Sequence, residues 1–268
     1  DLHLSIRRQR QMCIRDSFHM ANAVDEMYRR AGFDWTSSPG DLENQCNVLA
    51  SLPLLFDPGT EWNYSYSTDV LGRVVEVVSG LTLDSYMDEN IFQPLGMVDT
   101  GFSVPDGQES RFASCYFPQG ENKQAALLDD ALRSPYLREP IGLSGGGGLV
   151  STLADYHRFT QALRNSGVLN EQRIIGRKTL QFMTRNHLPG GVDLTQYGRP
   201  LFSETTYDGV GFGLGFSVVV DPTKAKVLSQ EGEYGWGGAA STAFWVDPVE
   251  DLTVIFLTQL LPSSTHPI

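Results

Sequence analysis

The chain has 268 residues, of which 41% are hydrophobic and 19% are charged, so it has an ordinary globular composition and enough length for a substantial core. The formal net charge of -12 repels phosphate backbones and disfavours nucleic acid as a partner. No apolar run approaches the roughly 20 residues that a membrane span needs, which disfavours an integral membrane protein.

The first 17 residues, DLHLSIRRQRQMCIRDS, differ in charge from the rest. Four arginines against two aspartates make this tail basic, whereas the remainder of the chain is acidic. A basic arm that binds nucleic acid or a membrane is one interpretation. The other is a translated sequencing-adapter fragment, which we favour. We therefore leave residues 1–17 out of the fold prediction and treat 18–268 as one partial domain.

Helices are predicted through the first two thirds of this domain. Short helices are expected around Ala23–Ala31 and Leu42–Leu52. After the Pro58-Gly59 turn, Ser67 or Thr68 can cap a helix with a valine-rich face, which ends at Gly80. Further helices are predicted at Leu83–Phe92, after a capping-box pattern at Thr152, and within 171–187.

The last third predicts strands instead. Short β-branched or aromatic runs, GFGLGFSVVVDP, KAKVLS, AASTAFWVDP and LTVIFLTQ, are separated by turn residues and indicate consecutive antiparallel strands. A helical region of about 18–200 followed by strands over about 210–260 predicts an α+β fold, with a sheet covered by helices. The sequence stops directly after a strand, at TQLLPSSTHPI, so we expect truncation at both ends.

Several kinds of functional site are disfavoured because their sequence motifs are missing or incomplete. The three cysteines, Cys13, Cys46 and Cys115, have no metal or disulfide spacing and are expected to be buried free thiols. The five histidines are scattered and support neither a triad nor a zinc site. The glycine run at 145–148 lacks the lysine of a phosphate-binding P-loop, so a structural turn is the preferred interpretation and a phosphate cradle the alternative. No metal or organic cofactor is implied.

Two patches remain as candidates for chemistry. Tyr64 lies just before a helix N-terminus, whose positive field favours a phenolate, and a nearby cation would lower its pKa enough for it to act as a base. The alternative is an aromatic filler beside Trp62. The second patch, 231–239, has glycines at the start of a strand, where exposed N–H groups can stabilise an oxyanion. Its alternative is an ordinary turn.

Taken in order along residues 20–265, six strings resemble the serine β-lactamase and penicillin-binding protein superfamily. They are PLLFDPGTEWNYS, DVLGRVVEVVSGLTL, IFQPLGMVDTGF, SGGGGLVSTLADYHRF, GFGLGF and GWGGAASTAFWVDP. The form W-G-G, together with Y-S-x-x-x-D-V-L-G, is similar to the carboxylesterases that resemble class C β-lactamases. The resemblance implies the transpeptidase-like α+β fold and a small-molecule ester or β-lactam as substrate.

The resemblance also implies residue roles. Tyr64 matches the tyrosine that manages the proton of the nucleophilic serine. Trp236, Gly237 and Gly238 match the K-T-G-type strand, with Trp236 in place of the basic residue, and the N–H of Ala239 forms half of the oxyanion hole. Trp236 offers an apolar wall rather than a cation for a carboxylate, which favours neutral esters.

The Ser-x-x-Lys element of the superfamily is missing from the sequence. The lysines stand at 123, 178, 224 and 226, and none has a serine three residues before it. We therefore expect the chain as given to be inactive and the complete protein to be an esterase. A β-lactamase or D-alanyl-D-alanine peptidase is one alternative, and a catalytically dead binding protein on the same fold is the other. The sequence leaves the cellular location and the oligomeric state open.

Overall fold

The chain divides into two compact units, each assembled from separate stretches of sequence. The computed structural model describes residues 23–33, 38–198 and 207–265. The first unit contains the described residues up to Met87 together with 139–149 and 197–198. The second contains 88–138, 150–196 and the described residues from Tyr207 onward. The prediction of a single partial domain over 18–268 stays a prediction, and residues 1–17 lie outside the described residues.

The first unit is helical, as the sequence predicts. Its helices are α1 (Ala23–Arg30), α2 (Leu42–Ser51), α3 (Ser67–Ser79) and α4 (Leu83–Met87). Helix α2 begins where the Asp41 carboxylate accepts the amide of Asn44 at 2.9 Å. Helix α3 ends at Gly80, whose φ of 76° is the left-handed conformation expected of a terminating glycine.

The start of α3 corrects the prediction of a serine or threonine cap. Tyr66 occupies the cap position, and its side chain makes no capping hydrogen bond. Ser67 is already the first helical residue, and its hydroxyl lies 2.6 Å from that of Ser65. The Ser67 hydroxyl therefore bonds to the loop before the helix and does not stand at the cap position.

An aromatic and aliphatic core holds the first unit together. Tyr28 and Phe33 are buried, and both rings contact Tyr66, at centroid distances of 6.0 Å and 4.9 Å. Leu49 of α2 is fully buried in the same cluster. Because buried aromatic rings contribute large apolar areas, Tyr66 fixes the chain entering α3.

The second unit begins with a π-helical turn at Asp88–Phe92 and the short helix α5 (Gln93–Leu95). The hairpin β1 (Cys115–Gln119) and β2 (Gln124–Asp129) follows. The next elements are α6 (Leu153–Arg164), β3 (Val168–Leu169), β4 (Gln172–Arg173), α7 (Arg177–Met183) and α8 (Leu194–Tyr197), of which only Tyr197 belongs to the first unit. Helix α6 begins as predicted, because the Thr152 hydroxyl accepts the amide of Asp155 at 3.2 Å.

A five-stranded antiparallel sheet ends the unit and confirms the predicted strands in outline. Its members in spatial order are β5 (Val210–Phe212), β6 (Ser217–Val219), β7 (Tyr234–Gly237), β8 (Ala243–Asp247) and β9 (Leu252–Phe256). Each strand pairs with the next along the chain, so the sheet is a meander. The predicted α+β class is therefore correct.

Two further local predictions were wrong. The run KAKVLS is not a strand: the Asp221 carboxylate accepts two backbone amides at 3.1 Å and starts the short helix α9 (Pro222–Ala225), which ends at Lys226 with a φ of 58°. The middle region is not wholly helical, because it holds the β1–β2 and β3–β4 hairpins. The helix expected within 171–187 is confirmed, as the shorter α7.

The core of the second unit lies between the sheet and two helices. Leu163 of α6 and Leu180 of α7 pack against inward-facing residues of the sheet. Those sheet residues are Phe216, Val218, Tyr234, Phe244 and Val246. They alternate along β6, β7 and β8, as one buried face of a sheet requires. In the described part of the chain, no helix is both long and apolar enough to cross a membrane.

Candidate functional site

The loop that carries Tyr64 is fixed on both sides. Trp62 is buried, and its amide donates a hydrogen bond to the Tyr197 carbonyl at 2.9 Å. Asn63 is buried as well, whereas Tyr64 is 38% exposed. The buried neighbours therefore anchor the loop and present the phenol at the surface of the first unit.

The position of Tyr64 relative to α3 follows from two serines. The Ser67 amide donates to the Ser65 hydroxyl at 3.2 Å, and the two hydroxyls lie 2.6 Å apart. This compact turn places Tyr64 three residues before the first residue of α3. The positive end of a helix favours an anion within its first turn, as the sequence analysis expected for a phenolate.

The glycine run at 145–148 packs closely against α3 within the first unit. Asp69, buried in the first turn of α3, accepts a hydrogen bond from the Ser144 hydroxyl. The Ser144 oxygen in turn accepts the amide of Gly146 at 3.1 Å. Burial raises the pKa of Asp69 and outweighs the opposing effect of Ser144 and of the nearby amides of Gly145 and Gly146. The Gly146 amide is engaged by Ser144 beside a carboxylate, so the arrangement supports the structural interpretation of the run and not a phosphate cradle.

Close approach explains why glycine is needed here. A Cβ added at Gly145 would lie 2.0 Å from the Thr68 carbonyl oxygen. One added at Gly146 would lie 2.7 Å from the Thr68 hydroxyl. The run therefore lets its backbone touch the first turn of α3, directly after the loop that carries Tyr64.

The second patch forms the turn between β7 and β8. Trp236 pairs with Phe244 and Gly237 with Ala243 at the end of the ladder. The Gly238 amide then donates to the Thr242 carbonyl at 2.7 Å, and the Gly238 carbonyl accepts the amide of Ser241 at 3.0 Å. These bonds define a tight hairpin over residues 238–241.

Ala239 is exposed at the tip of this hairpin. Within the described residues, its N–H donates to no backbone carbonyl. The tip is held by Ser241, which has a φ of 63° and donates its hydroxyl to the Leu260 carbonyl at 2.6 Å. An amide that is not used by the hairpin is available to an oxyanion, which is the role the sequence analysis predicts.

Glycine is required at two positions on this strand. A Cβ at Gly235 would lie 2.2 Å from the Phe244 carbonyl oxygen, and one at Gly238 would lie 2.2 Å from the Thr242 hydroxyl. A Cβ at Gly237 would make only an ordinary contact of 3.5 Å. The hairpin geometry thus explains why glycine is needed at positions 235 and 238. Gly237 is exposed and has room for a side chain, so the hairpin does not explain the glycine there.

Trp236 has a defined orientation. Its indole meets the buried ring of Phe212 edge-on, with centroids 5.4 Å apart and planes at 80°. It packs against the core cluster of the second unit and remains partly exposed. An indole held in this way provides an uncharged, apolar wall next to the hairpin tip.

A carboxylate pair lies at the other end of β7. Tyr234 pairs with Val246, so Glu233 lies opposite Asp247 on the neighbouring strand. Burial, and then the charge of Asp247, raises the pKa of Glu233 to about 7. Asp247 is buried and accepts the amides of Val249 and Glu250 at 2.8 Å and 3.0 Å, so it ties the β8–β9 turn.

The predicted site residues are distributed over both units. Trp236, Gly237, Gly238 and Ala239 are consecutive at the β7–β8 hairpin of the second unit. Tyr64 belongs to the first unit. The catalytic role of each residue stays a prediction. Asp69 lies in the matched string Y-S-x-x-x-D-V-L-G, but no pattern in the sequence indicates its contact with Ser144.

Two comparisons of sequence identify relatives of the chain. A family model described as Beta-lactamase matches residues 25–267. Protein Rv1367c of Mycobacterium tuberculosis is 34% identical over 218 residues, which cover 80% of this chain and 53% of that protein. Esterase EstB of Burkholderia gladioli is 34% identical over 233 residues, which cover 81% of this chain and 54% of the esterase. The chain thus spans about half the length of the curated relatives it matches.

A comparison of structures gives the same fold. The structure of EstCE1, described as a hydrolase with promiscuous acyltransferase activity, superposes with a TM-score of 0.72 at 24% identity. The match covers 98% of this chain and 68% of that one. The fold of the chain, with its antiparallel sheet and covering helices, is therefore the β-lactamase and transpeptidase fold.

Proposed function

The chain belongs to the beta-lactamase family, and we propose that the whole protein is a serine hydrolase that cleaves neutral carboxylic esters. The observation that carries the proposal is Trp236, which the resemblance matches with the basic residue of the superfamily's K-T-G-type strand. Its indole is held edge-on by Phe212 and offers no charge to a substrate carboxylate. The name of the relative EstB, an esterase at 34% identity, supports the same choice.

The proposed reaction has two steps. A serine hydroxyl attacks the acyl carbon of the ester, and Tyr64 takes the hydroxyl proton and passes it to the departing alcohol. The Ala239 amide donates to the oxyanion that forms on the acyl oxygen. Water then attacks the acyl-serine, gives up a proton through Tyr64, and releases the carboxylic acid and the free serine.

This mechanism requires a serine and a lysine that the sequence does not offer as a Ser-x-x-Lys motif. The proposal therefore has two parts: the chain as given is inactive, and a protein that also contains this motif is active. In that protein the lysine is the cation that would lower the pKa of Tyr64.

Hydrolysis of p-nitrophenyl butyrate tests both parts. The chain as given should show no turnover above background, and turnover that disappears in Tyr64→Phe would overturn the first part. In a protein that includes the motif, Tyr64→Phe should lower kcat by roughly 100-fold or more, the usual contribution of an acid–base residue. The control Tyr116→Phe removes a partly exposed phenol from β1 and should leave kcat unchanged.

The same protein should be assayed with nitrocefin beside the ester. Because Trp236 cannot hold the carboxylate of a β-lactam as a cation does, ester turnover should exceed nitrocefin turnover. The reverse order would favour a β-lactamase. Binding of esters without turnover of either substrate would favour a binding protein on this fold.

A further inference from the structure

Tyr207 lies beside the indole that dominates the second patch. Its ring centroid is 6.4 Å from that of Trp236, and the two planes differ by only 16°. Both residues are partly exposed, whereas Phe212 is buried beneath the indole edge. The second unit therefore presents two nearly parallel aromatic faces next to the hairpin that carries Ala239.

The backbone of Tyr207 is unusual for a bulky residue. Its φ is 21°, outside the regions that such side chains normally adopt. The conformation is held by the turn that follows, in which the Tyr207 carbonyl accepts the amide of Val210 at 3.1 Å. Unfavourable backbone conformations of this kind cluster at functional sites, so the outlier points to a use for the ring.

The chemistry of the pair selects one class of group. Both rings are uncharged, and at 6.4 Å their centroids lie near the upper end of the range for stacked aromatics. A planar aryl group can stack against these parallel faces and gain both apolar burial and the favourable ring geometry. A saturated ring of similar size gains only the burial.

We propose that Tyr207 is a specificity residue which, with Trp236, favours esters that carry an aryl group. The inference rests on the proposed function, since it names the substrate class of that same site. The residues that carry it, Tyr207, Phe212 and Trp236, all belong to the second unit. Binding of an uncleavable ligand by the chain as it exists can therefore test it without turnover.

The probes are N-phenylbutyramide and N-cyclohexylbutyramide, uncharged amides that replace the ester and differ only in the ring. Titration calorimetry or ligand-observed NMR should show tighter binding of the phenyl compound. Tyr207→Leu should weaken phenyl binding by roughly 2- to 12-fold, which is the range for one aromatic pair, and should leave cyclohexyl binding within twofold. Tyr207→Phe keeps the ring and should restore the preference.

Tyr116→Leu is the matched control, because it removes a partly exposed phenol from β1. Thermal unfolding of each variant verifies that the fold is retained. Equal affinity for the two amides, equal losses for both in Tyr207→Leu, or no binding of either would overturn the proposal. The two proposals can fail separately. If the chain prefers the phenyl amide but the protein that includes the Ser-x-x-Lys motif does not hydrolyse esters, only the proposed ester hydrolysis is refuted.

Discussion

The Ser144 hydroxyl donates a hydrogen bond to the buried carboxylate of Asp69, although 75 residues separate them in the chain. The Ser144 oxygen also accepts the amide of Gly146 at 3.1 Å, so Ser144 joins the glycine run to the first turn of α3. Removing Asp69 leaves the Ser144 hydroxyl without its carboxylate acceptor. Removing Ser144 leaves the buried carboxylate without its hydroxyl donor.

Asp69→Ala should therefore lower the free energy of unfolding by about 1–3 kcal/mol, because it removes a hydrogen bond to a charged acceptor. Ser144→Ala should have an effect of similar size, since it leaves the buried carboxylate without this donor. Urea titration measures both, and the double variant gives the coupling energy of the pair. The exposed Asp106→Ala is the control, and an equal effect of Asp69→Ala and Asp106→Ala would contradict the assignment.

Gly145 and Gly147 form a matched pair for testing the close packing on α3. A Cβ at Gly145 would lie 2.0 Å from the Thr68 carbonyl oxygen, whereas one at Gly147 would meet no atom within 4 Å. Gly145→Ala should lower the free energy of unfolding by about 1–3 kcal/mol, since backbone must move. Gly147→Ala should change it by less than about 0.5 kcal/mol. Similar melting temperatures for the two variants would show that the run is not packed as described.

The pair of Glu233 and Asp247 predicts a pH dependence of stability. The folded pKa of Glu233, about 7, lies above its ordinary value of 4.5, so the folded state binds its proton more tightly. The stability associated with the protonated form is complete below about pH 4.5 and is lost as the pH rises through about 7. Because Glu233 is only partly buried, the loss should be about 1–2 kcal/mol after solvent screening.

Glu233→Gln mimics the protonated acid and separates this effect from other titrations. The variant should be more stable than the parent chain at pH 8 and no more stable at pH 4.5, as measured by urea unfolding at each pH. Glu231→Gln, on an exposed neighbour, should follow the parent at both values. A stability difference for Glu233→Gln that does not vary with pH would refute the titration of Glu233 as its cause.

Cys46 should be an unreactive thiol in the folded chain. Burial, and then the charge of Asp69, raises its pKa to about 11. Because the ordinary pKa of a cysteine is 9.0, the raised pKa lowers the thiolate fraction of Cys46 about 100-fold. Burial also restricts the access of reagents to the thiol. In the variant Cys13→Ser/Cys115→Ser, labelling with a disulfide reagent at pH 8 should be at least about 100-fold slower than in urea.

The variant that keeps only Cys115 provides the comparison, because that thiol is only partly buried. It should label faster in the folded chain than Cys46 does. Equal rates for the two thiols would mean that Cys46 is accessible in solution.

The helices of the first unit and the terminal sheet were predictable because their signals are local. Each of these signals involves residues that are close together in the chain. Examples are the apolar spacing in α3, the terminating Gly80 and the Thr152 cap of α6. The hairpin β1–β2 was missed because much of it is exposed and lacks the alternating pattern of a half-buried strand. The strand expected at KAKVLS failed because a side-chain cap from Asp221 overrides β propensity.

Motifs in the sequence identified the candidate residues. The same motifs gave no information on the side chains that surround these residues in the fold. Tyr64, Trp236 and Ala239 stand out because of the residues beside them in the sequence. Nothing near Trp236 in the sequence indicates that Phe212 fixes its indole or that Tyr207 stacks on it, since both partners lie far from Trp236 along the chain. In the same way, no local pattern links Glu233 to Asp247.

The sequence by itself determined the α+β class, the placing of helices before a terminal sheet and the residues that match a serine hydrolase, because propensity, capping and motif spacing are short-range properties. Only the tertiary structure decided that Ser144 links the glycine run to Asp69, that Gly238 closes a hairpin next to the exposed Ala239, and that Tyr207 faces Trp236. These relationships depend on burial and on contacts between segments far apart in the chain, and such contacts exist only once the core has formed.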